Sequence, residues 1–163
     1  MTDHTATGAA PEPPELPLPR WVITTIWRAH RMLFRTTGGR AVLSTPVRGK
    51  HFGVMRVHTL GRRSGKPRTV ILGYIHDGPN LATIAMNGWD EAEPAWWLNL
   101  RGHPDAVVDL PGERRTVRAR TAEGDERERL WREMEAHKGW GDDLDALAMR
   151  RPAGTSVVVL EPR

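Results

Sequence analysis

Short segments rich in strand-forming residues, separated by tight turns, fill most of the chain after residue 53. Val54–Leu60 alternates between two sides, as expected of a strand that buries one face. The residues of one side are Met55, Val57 and Thr59. Arg68–His76 is rich in β-branched residues, and the turn Asp77-Gly78-Pro79-Asn80 separates it from Leu81–Met86. This arrangement predicts a hairpin.

The second half of the chain continues in the same way. Pro111-Gly112-Glu113 joins Ala106–Leu110 to Arg114–Thr121 as a second hairpin, and Ser156–Leu160 is a final strand. Two helices are expected, over Pro94–Leu100 and Gly124–His137. The chain lacks the strand–helix–strand alternation of a Rossmann sheet. Sequential hairpins with few helices predict a small antiparallel barrel, in a mainly β fold with flanking helices (α+β).

The first 36 residues differ from the rest of the chain. Residues 1–19 contain five prolines and predict a disordered or extended tail. Residues 20–36 predict an amphipathic helix with arginines opposite an apolar face. The apolar face carries Val22, Ile26, Ala29 and Leu33. Such a helix either packs on its own domain or makes peripheral contact with a membrane surface. Residues 37–163 are the predicted barrel domain.

No apolar run reaches 18 residues, which excludes a helix that spans a membrane. The start of the chain is polar and carries Asp3, so it does not resemble a secretory signal. We therefore expect a cytoplasmic protein, membrane-associated only if the predicted helix over 20–36 binds lipid.

Several classes of chemistry have no support in the sequence. The chain has no cysteine, which excludes disulfides, thiolate metal sites and cysteine nucleophiles. Its seven histidines show no metal-ligand spacing, so no metal site is expected. There is no G-x-S-x-G motif and no distinctive pair of carboxylates. If the protein is an enzyme, a cofactor is therefore expected to supply the reactive atom.

Charge is distributed unevenly along the chain. Residues 16–76 contain 12 Lys or Arg and no Asp or Glu, whereas residues 77–163 contain 12 basic and 17 acidic residues. A positive block of this length indicates an anionic partner, such as a phosphate or a polycarboxylate, or else a solvated basic face.

The most specific local feature is the segment Thr59–Thr69 between two predicted strands. Within it, residues 60–69 carry two glycines, two hydroxyl residues and four cations. The cations are Arg62, Arg63, Lys66 and Arg68, and the hydroxyls are Ser64 and Thr69. Guanidinium groups bind phosphate or carboxylate oxygens in pairs, which favours an anion-binding loop over an ordinary basic turn. It is not a Walker A loop, because Leu60 stands at the first glycine position and Pro67 follows Lys66.

The predicted helix over Pro94–Leu100 carries two adjacent tryptophans, Trp96 and Trp97. Either one ring joins the core while the other offers a flat face to a ligand, or both pack against the barrel end. Asn99 on the same helix either caps backbone or binds a polar ring edge.

Taken in order, several motifs resemble the deazaflavin-dependent nitroreductase family, whose members use coenzyme F420. The motifs are Gly61-Arg-Arg-Ser-Gly-Lys-Pro-Arg-Thr, Asp77-Gly, Pro94-Ala-Trp-Trp-Leu-Asn-Leu-Arg101, His103-Pro104, Glu128-Arg-Leu-Trp131 and Val157-Val-Val-Leu-Glu-Pro162. The resemblance runs from about Val54 to Pro162. It implies a split β-barrel like that of pyridoxamine-phosphate-oxidase relatives, and a polyanionic cofactor with a phosphate and a glutamate tail.

Carried over by position, the resemblance implies four groups of cofactor contacts. Those at the phosphate and tail would be Arg62, Arg63 and Ser64. The strand beneath the cofactor would be Arg68, Thr69, Val70, Ile71, Leu72 and Gly73. The ring region would be Ile84, Ala85, Met86 and Asn87. The phosphate and ribityl side would be Ala95, Trp96, Trp97, Leu98 and Asn99.

The reaction implied is hydride transfer from reduced F420 to an electron-poor small molecule such as a quinone, a nitroaromatic or an enone. Family members place tyrosines, and often a serine, around the substrate, whereas Tyr74 is the one tyrosine of this chain and Met86 stands at the serine position. Trp140 is expected to replace one ring as a pocket wall beside Met86. Without a phenol, the proton would come from water, His137 or Lys138.

The main prediction is therefore an F420H2-dependent reductase, with no catalytic side chain assigned. Alternatives are a non-catalytic F420 carrier, suggested by the absent tyrosines, or a split barrel that binds FMN. A small barrel that binds nucleic acid is disfavoured, and no nucleic-acid partner is expected.

Overall fold

The computed structural model describes residues 42–87, 92–141, 143–149, 151 and 154–163. Within them, six strands form a closed antiparallel barrel in the order β1-β2-β3-β6-β5-β4. The strands are β1 Gly53–Leu60, β2 Pro67–Asp77, β3 Asn80–Ile84, β4 Asp105–Leu110, β5 Glu113–Thr121 and β6 Val157–Pro162. The helices are α1 Ala95–Gly102, α2 Gly124–Glu135 and α3 Leu144–Met149. The predicted antiparallel barrel is confirmed.

Strand alternation places one side of β1 inside the barrel. Met55, Val57 and Thr59 are buried, while the residues between them are half-buried on the outer face, as their alternation predicts. The interior cluster also takes in Leu72 and Tyr74 of β2. Full burial of each large apolar side chain stabilises the fold by about 1.5–3 kcal/mol.

The last strand, β6, is buried on both faces. Val158 and Leu160 belong to the barrel interior, whereas Val157 and Val159 pack beneath α2. The α2 residues in this second cluster are Leu130, Trp131 and Met134. The uninterrupted apolar run in β6 therefore reflects a strand covered by the barrel on one side and by a helix on the other.

Both predicted hairpins are present, and their turns contain Gly78 and Gly112 with φ of 59° and 72°. Two predicted elements are shorter than expected, since β3 ends at Ile84 and α2 at Glu135. The six-residue helix α3 was missed by the sequence analysis, because it is less than two turns long and its one buried side chain is Leu144. The predicted tail over 1–19 and helix over 20–36 lie outside the described residues.

No helix in the described part of the chain is long and apolar enough to cross a membrane.

Candidate functional site

The basic loop, residues 61–68, comprises the compact turn between β1 and β2 and the first two residues of β2. The Gly61 N–H donates to the carbonyl of Lys66 at 2.9 Å, and the Gly65 N–H donates to the carbonyl of Gly61 at 2.7 Å. Gly65 has φ of 62°, a conformation that favours glycine. These contacts hold the loop backbone in one shape and leave its side chains exposed.

The cations of the basic loop carry uncompensated charge. Among the described residues, no carboxylate lies within ion-pair distance of Arg62, Arg63, Lys66 or Arg68. Arginines elsewhere in the barrel do pair with carboxylates; they include Arg56, Arg101, Arg115, Arg118, Arg120 and Arg129. The basic loop is thus a place where an anion would be bound without displacing an internal partner.

Helix α1 is joined directly to the basic loop. The Arg62 N–H donates to Oδ1 of Asn99 at 3.1 Å, and Asn99 is buried. A Cβ on Gly102 would lie 3.1 Å from Cβ of Arg62, so the helix end and the loop are in close contact. The structure therefore brings together two segments that the sequence analysis assigned to one site, and Asn99 contacts the backbone of the basic loop through its Oδ1.

Trp96 and Trp97 both pack into the barrel-end core, with 8% and 2% of their surfaces exposed. Of the two alternatives for this pair, packing of both rings is the one observed. Neither indole N–H has an acceptor among the described residues. Ala95 is exposed and Leu98 half-buried, so among the α1 residues predicted to contact the cofactor these two have side chains that a ligand could reach.

Residues predicted to lie in the strand beneath the cofactor or in its ring region differ in how far their side chains are exposed. Arg68, Thr69 and Asn87 are exposed, and the half-buried residues are Val70, Ile71, Gly73 and Met86. Leu72, Ile84 and Ala85 are buried in the two core clusters. Contact between these three and a cofactor would therefore involve the backbone.

An aromatic pair covers Gly73. The rings of Phe52 and Trp140 are 4.6 Å apart, and a Cβ on Gly73 would lie 2.9 Å from each. Met86 packs against the same cluster as Trp140, which is 3% exposed. Met86 and Trp140, predicted to line the substrate pocket, thus share one apolar cluster, where Trp140 is a packed side chain.

Tyr74 points into the barrel interior and is 1% exposed. Burial raises the pKa of its phenol, with smaller effects of opposite sign from Arg115 and Glu113. Because this is the one tyrosine of the chain, a phenol proton donor is absent from the outer face.

Sequence reasoning missed Arg151, which is 3% exposed. Its Nη1 donates to the carbonyl of Ala85 at 2.6 Å, and its Nη2 donates to the carbonyl of Ala92 at 3.2 Å. Arg151 therefore joins the end of the predicted ring region to the segment that leads into α1. No local pattern around residue 151 indicates this contact, which depends on chain folding.

A polar cluster on the outer face was also missed. His58 Nε2 lies 2.8 Å from Oδ2 of Asp109, and Arg56 Nε donates to the same oxygen at 2.7 Å. Burial alone would raise the pKa of Asp109, but hydrogen bonds from His58 and Arg56 outweigh it and lower the pKa below its ordinary value. The i, i+2 spacing of Arg56 and His58 was visible in the sequence, whereas their partner depends on strand register.

Two cavities are described, and residues 61–68 line neither. One, of about 400 Å³, lies at the β4–β5 turn and includes Arg56 and Asp109. The other, of about 760 Å³, lies between α2 and α3. The basic loop thus presents its cations on an open surface. The described residues also hold no group of three metal-ligating side chains.

Comparison with known proteins gives a consistent result. The sequence profile of a family described as "F420H(2)-dependent quinone reductase" matches residues 26–162. A Mycobacterium tuberculosis protein (strain ATCC 25618 / H37Rv) named as such a reductase is 30% identical over 116 residues, covering 70% of this chain and 76% of that protein. A second protein of the same strain, whose name provisionally gives the same activity, is 36% identical over 103 residues, covering 63% of this chain and 83% of its own length.

Two solved structures are similar to this chain in fold and sequence. A structure entitled F420-H2 dependent reductase (FDR-A) has 25% identity and a TM-score of 0.61, covering 74% of this chain and 97% of its own. Another, described as a domain-swapped dimer, has 26% identity and a TM-score of 0.62, covering 87% of this chain and 98% of its own.

Proposed function

Because the chain belongs to the F420H(2)-dependent quinone reductase family, we propose that it reduces a quinone-type small molecule with reduced F420 bound at the basic loop. The observation that carries the assignment of the site is the set of four cations, placed against α1, for which the described residues provide no carboxylate partner.

The chemistry of this donor set fits a polyanion. Phosphate and carboxylate oxygens accept paired hydrogen bonds from guanidinium groups, and such charge-assisted bonds contribute about 1.5–3 kcal/mol each. Arg62, Arg63 and Ser64 would hold the phosphate and acidic tail of F420. Because the loop side chains are exposed, salt is expected to weaken this binding.

The outer surface of β2 would support the rest of the cofactor. Thr69 and Ile71 alternate with interior residues and lie on this outer face, whereas the Phe52 and Trp140 rings cover Gly73 farther along the same face. Arg151 holds the carbonyl groups of Ala85 and Ala92, which keeps the predicted ring region at a constant distance from the start of α1. The residues of β2 and Arg151 would orient the cofactor, and none of them forms or breaks a bond in the reaction.

When bound, reduced F420 supplies the hydride. The hydride carries two electrons to the quinone, and one proton is needed to complete the quinol. The buried Tyr74 phenol does not reach the outer face. Water and the exposed Lys138 are therefore the available proton sources, whereas His137, the third source that the sequence suggested, is 6% exposed with its Nδ1 2.8 Å from the Glu133 carbonyl.

The half-buried Phe52 and Met86, which pack with the buried Trp140 beside Gly73, would favour a flat, uncharged acceptor. A quinone ring stacks on such surfaces with little desolvation cost.

Binding is tested with F420 and with FMN, by quenching of tryptophan fluorescence. Arg62→Ala combined with Arg63→Ala is expected to weaken F420 binding at least tenfold, whereas Arg132→Ala on α2 serves as a control for the removal of an exposed arginine elsewhere on the surface. Equal affinity of both variants at low salt would remove the basic loop from the site. Tight binding of FMN without binding of F420 would contradict the assignment of the cofactor.

Turnover is tested by stopped-flow oxidation of F420H2 with quinones, nitroaromatics and enones. We expect quinones to react fastest. Binding of F420 without oxidation by any acceptor would instead indicate a carrier.

A further inference from the structure

The side chain of Phe52 reaches the outer face of β2 from a separate segment of the chain. Phe52 directly precedes β1, and its half-buried ring lies over Gly73. A Cβ added to Gly73 would lie 2.9 Å from Cδ2 and 3.0 Å from Cε2 of that ring. Contacts this short leave no room for a side chain at residue 73, so the ring of Phe52 takes the place that a side chain of β2 would otherwise fill.

The opposite edge of the same ring is confined by Gly139. A Cβ added to Gly139 would lie 2.6 Å from Cε1 and 3.1 Å from Cδ1 of Phe52. Gly139 also has φ of 108°, a conformation that favours glycine. The ring of Trp140 lies 4.6 Å away and is tilted by 44°. Two glycines and an indole therefore fix the position of the Phe52 ring.

The backbone that carries Phe52 is tied to the end of α2. Within the strap, residues 44–52, the Gly49 N–H donates to the carbonyl of Ala136 at 2.9 Å. The Phe52 N–H donates to the carbonyl of Lys138 at 3.4 Å. The strap therefore holds the ring beside the chain segment that follows α2.

Strand geometry places this ring at one end of the proposed cofactor face. Thr69, Ile71 and Gly73 follow one another along the outer face of β2. A strand rises about 3.3 Å per residue, so Gly73 lies roughly 13 Å from Thr69. The basic loop adjoins the Thr69 end. The Phe52 ring thus limits the face at the end away from the cations.

We infer that Phe52 is a specificity-determining residue, which limits the ring size of the acceptor. This inference rests on the proposed function, which places a quinone beside Gly73. A one-ring quinone stacks on the accessible part of the Phe52 ring, whereas the same ring blocks a fused ring system that would extend past Gly73.

The side chains around this position are apolar, so they select by shape. Phe52 and Met86 pack against the buried cluster that contains Trp140. In an apolar pocket, one methylene group too many or too few changes kcat/KM by about 10–200-fold. Removal of a whole phenyl ring is therefore expected to change the preference for ring size at least tenfold.

The first test compares kcat/KM for three quinones with F420H2 as the donor. The quinones are tetramethylbenzoquinone, 2-methylnaphthoquinone and phenanthrenequinone, with one, two and three fused rings. In Phe52→Ala, the ratio of the three-ring to the one-ring value should rise at least tenfold over the unsubstituted protein, mainly through KM. Phe52→Leu should give a smaller rise. Differences in reduction potential between the quinones are common to all variants and cancel.

Val47→Ala is the matched control, because Val47 is an apolar residue of the same strap and is 41% exposed. Its ratio should stay within about twofold of the original. A variant that is only less stable has less active protein, which lowers every kcat equally and leaves the ratio unchanged. An unchanged ratio in Phe52→Ala would overturn the inference. If that variant does not fold, an unchanged ratio in Phe52→Leu would do so.

The second test does not depend on turnover. Oxidised F420 has no hydride to donate, so the protein, oxidised F420 and a quinone form a complex that does not react. In protein labelled with 5-fluorotryptophan, Trp140→Phe identifies the fluorine-19 NMR signal of Trp140. Tetramethylbenzoquinone should shift that signal, because the indole lies 4.6 Å from the Phe52 ring, and Phe52→Ala should weaken this binding at least threefold.

The outcomes separate this inference from the proposed function. Failure of the unsubstituted protein to reduce any quinone would refute the proposed function, and the inference with it. Turnover without a shift of the Trp140 signal, or with a ratio that Phe52→Ala leaves unchanged, would overturn the inference alone.

Discussion

Asp109→Asn should destabilise the barrel by an amount that depends on pH. The substitution keeps the side-chain volume but replaces an oxygen that accepts from both His58 and Arg56. Breaking a fully buried charge pair costs about 3–5 kcal/mol. The side chains of Arg56 and His58 are 18% and 31% exposed, so water recovers part of that loss. We therefore expect a loss of about 2 kcal/mol at pH 5, or roughly 6 °C in Tm.

The pH dependence has a definite sign. The pKa of Asp109 is lowered in the folded protein, so its contribution to stability is complete above the pKa of the unfolded chain, about 3.9. That contribution disappears as pH falls through the folded pKa. The difference in the free energy of unfolding between the two proteins should therefore stay constant from pH 5 to about pH 4 and shrink as the pH falls further.

Urea denaturation followed by tryptophan fluorescence measures this difference. Asp105→Asn is the matched control, because its partners Arg118 and Arg163 are about half exposed and exposed pairs contribute about 0.2–1 kcal/mol. The reasoning would be refuted if the loss of unfolding free energy in Asp109→Asn were the same at pH 3 as at pH 5. It would also be refuted if that loss were no larger than the loss in Asp105→Asn.

Three further predictions concern the site and the N-terminal segment. Gly73→Ala should destabilise the protein by about 1–3 kcal/mol in urea denaturation, because its Cβ would meet the Phe52 and Trp140 rings at 2.9 Å, and a stability equal to the original would contradict that packing. Arg151→Met should raise the KM for F420H2 several-fold in steady-state assays, with partial recovery in Arg151→Lys; an unchanged KM in a folded Arg151→Met protein would exclude its positioning role. Pelleting with anionic liposomes before and after removal of residues 1–35 separates the two alternatives for the predicted helix over 20–36: a helix that contacts membranes loses pelleting on removal, and equal pelleting of both proteins would exclude that contact.

The sequence alone was sufficient to predict where the strands lie and where the basic loop lies between them. Alternation along Val54–Leu60 and the turns at Gly78 and Gly112 depend on residues a few positions apart, so the backbone rules that govern them act locally. The anion-binding interpretation of the loop likewise depended on four cations within seven residues. The assignment of individual cofactor contacts stays a prediction.

Other features depended on which strands become neighbours. Trp96 and Trp97 had two equally acceptable environments, and the shape of the barrel end selected burial for both. The role of Arg151 required its guanidinium to meet carbonyl groups about 60 residues away.

The order of residues in this chain specified local properties: where strands alternate, where they turn, and where positive charge accumulates without carboxylates. Closure of the barrel decided which groups from distant parts of the sequence are hydrogen-bonded to one another. Asp109 belongs with His58 and Thr69 because β1 pairs with both β2 and β4, and that pairing arises from burial of the interior faces of all six strands together. Because such burial is a cooperative property of the folded barrel, no single segment encodes it.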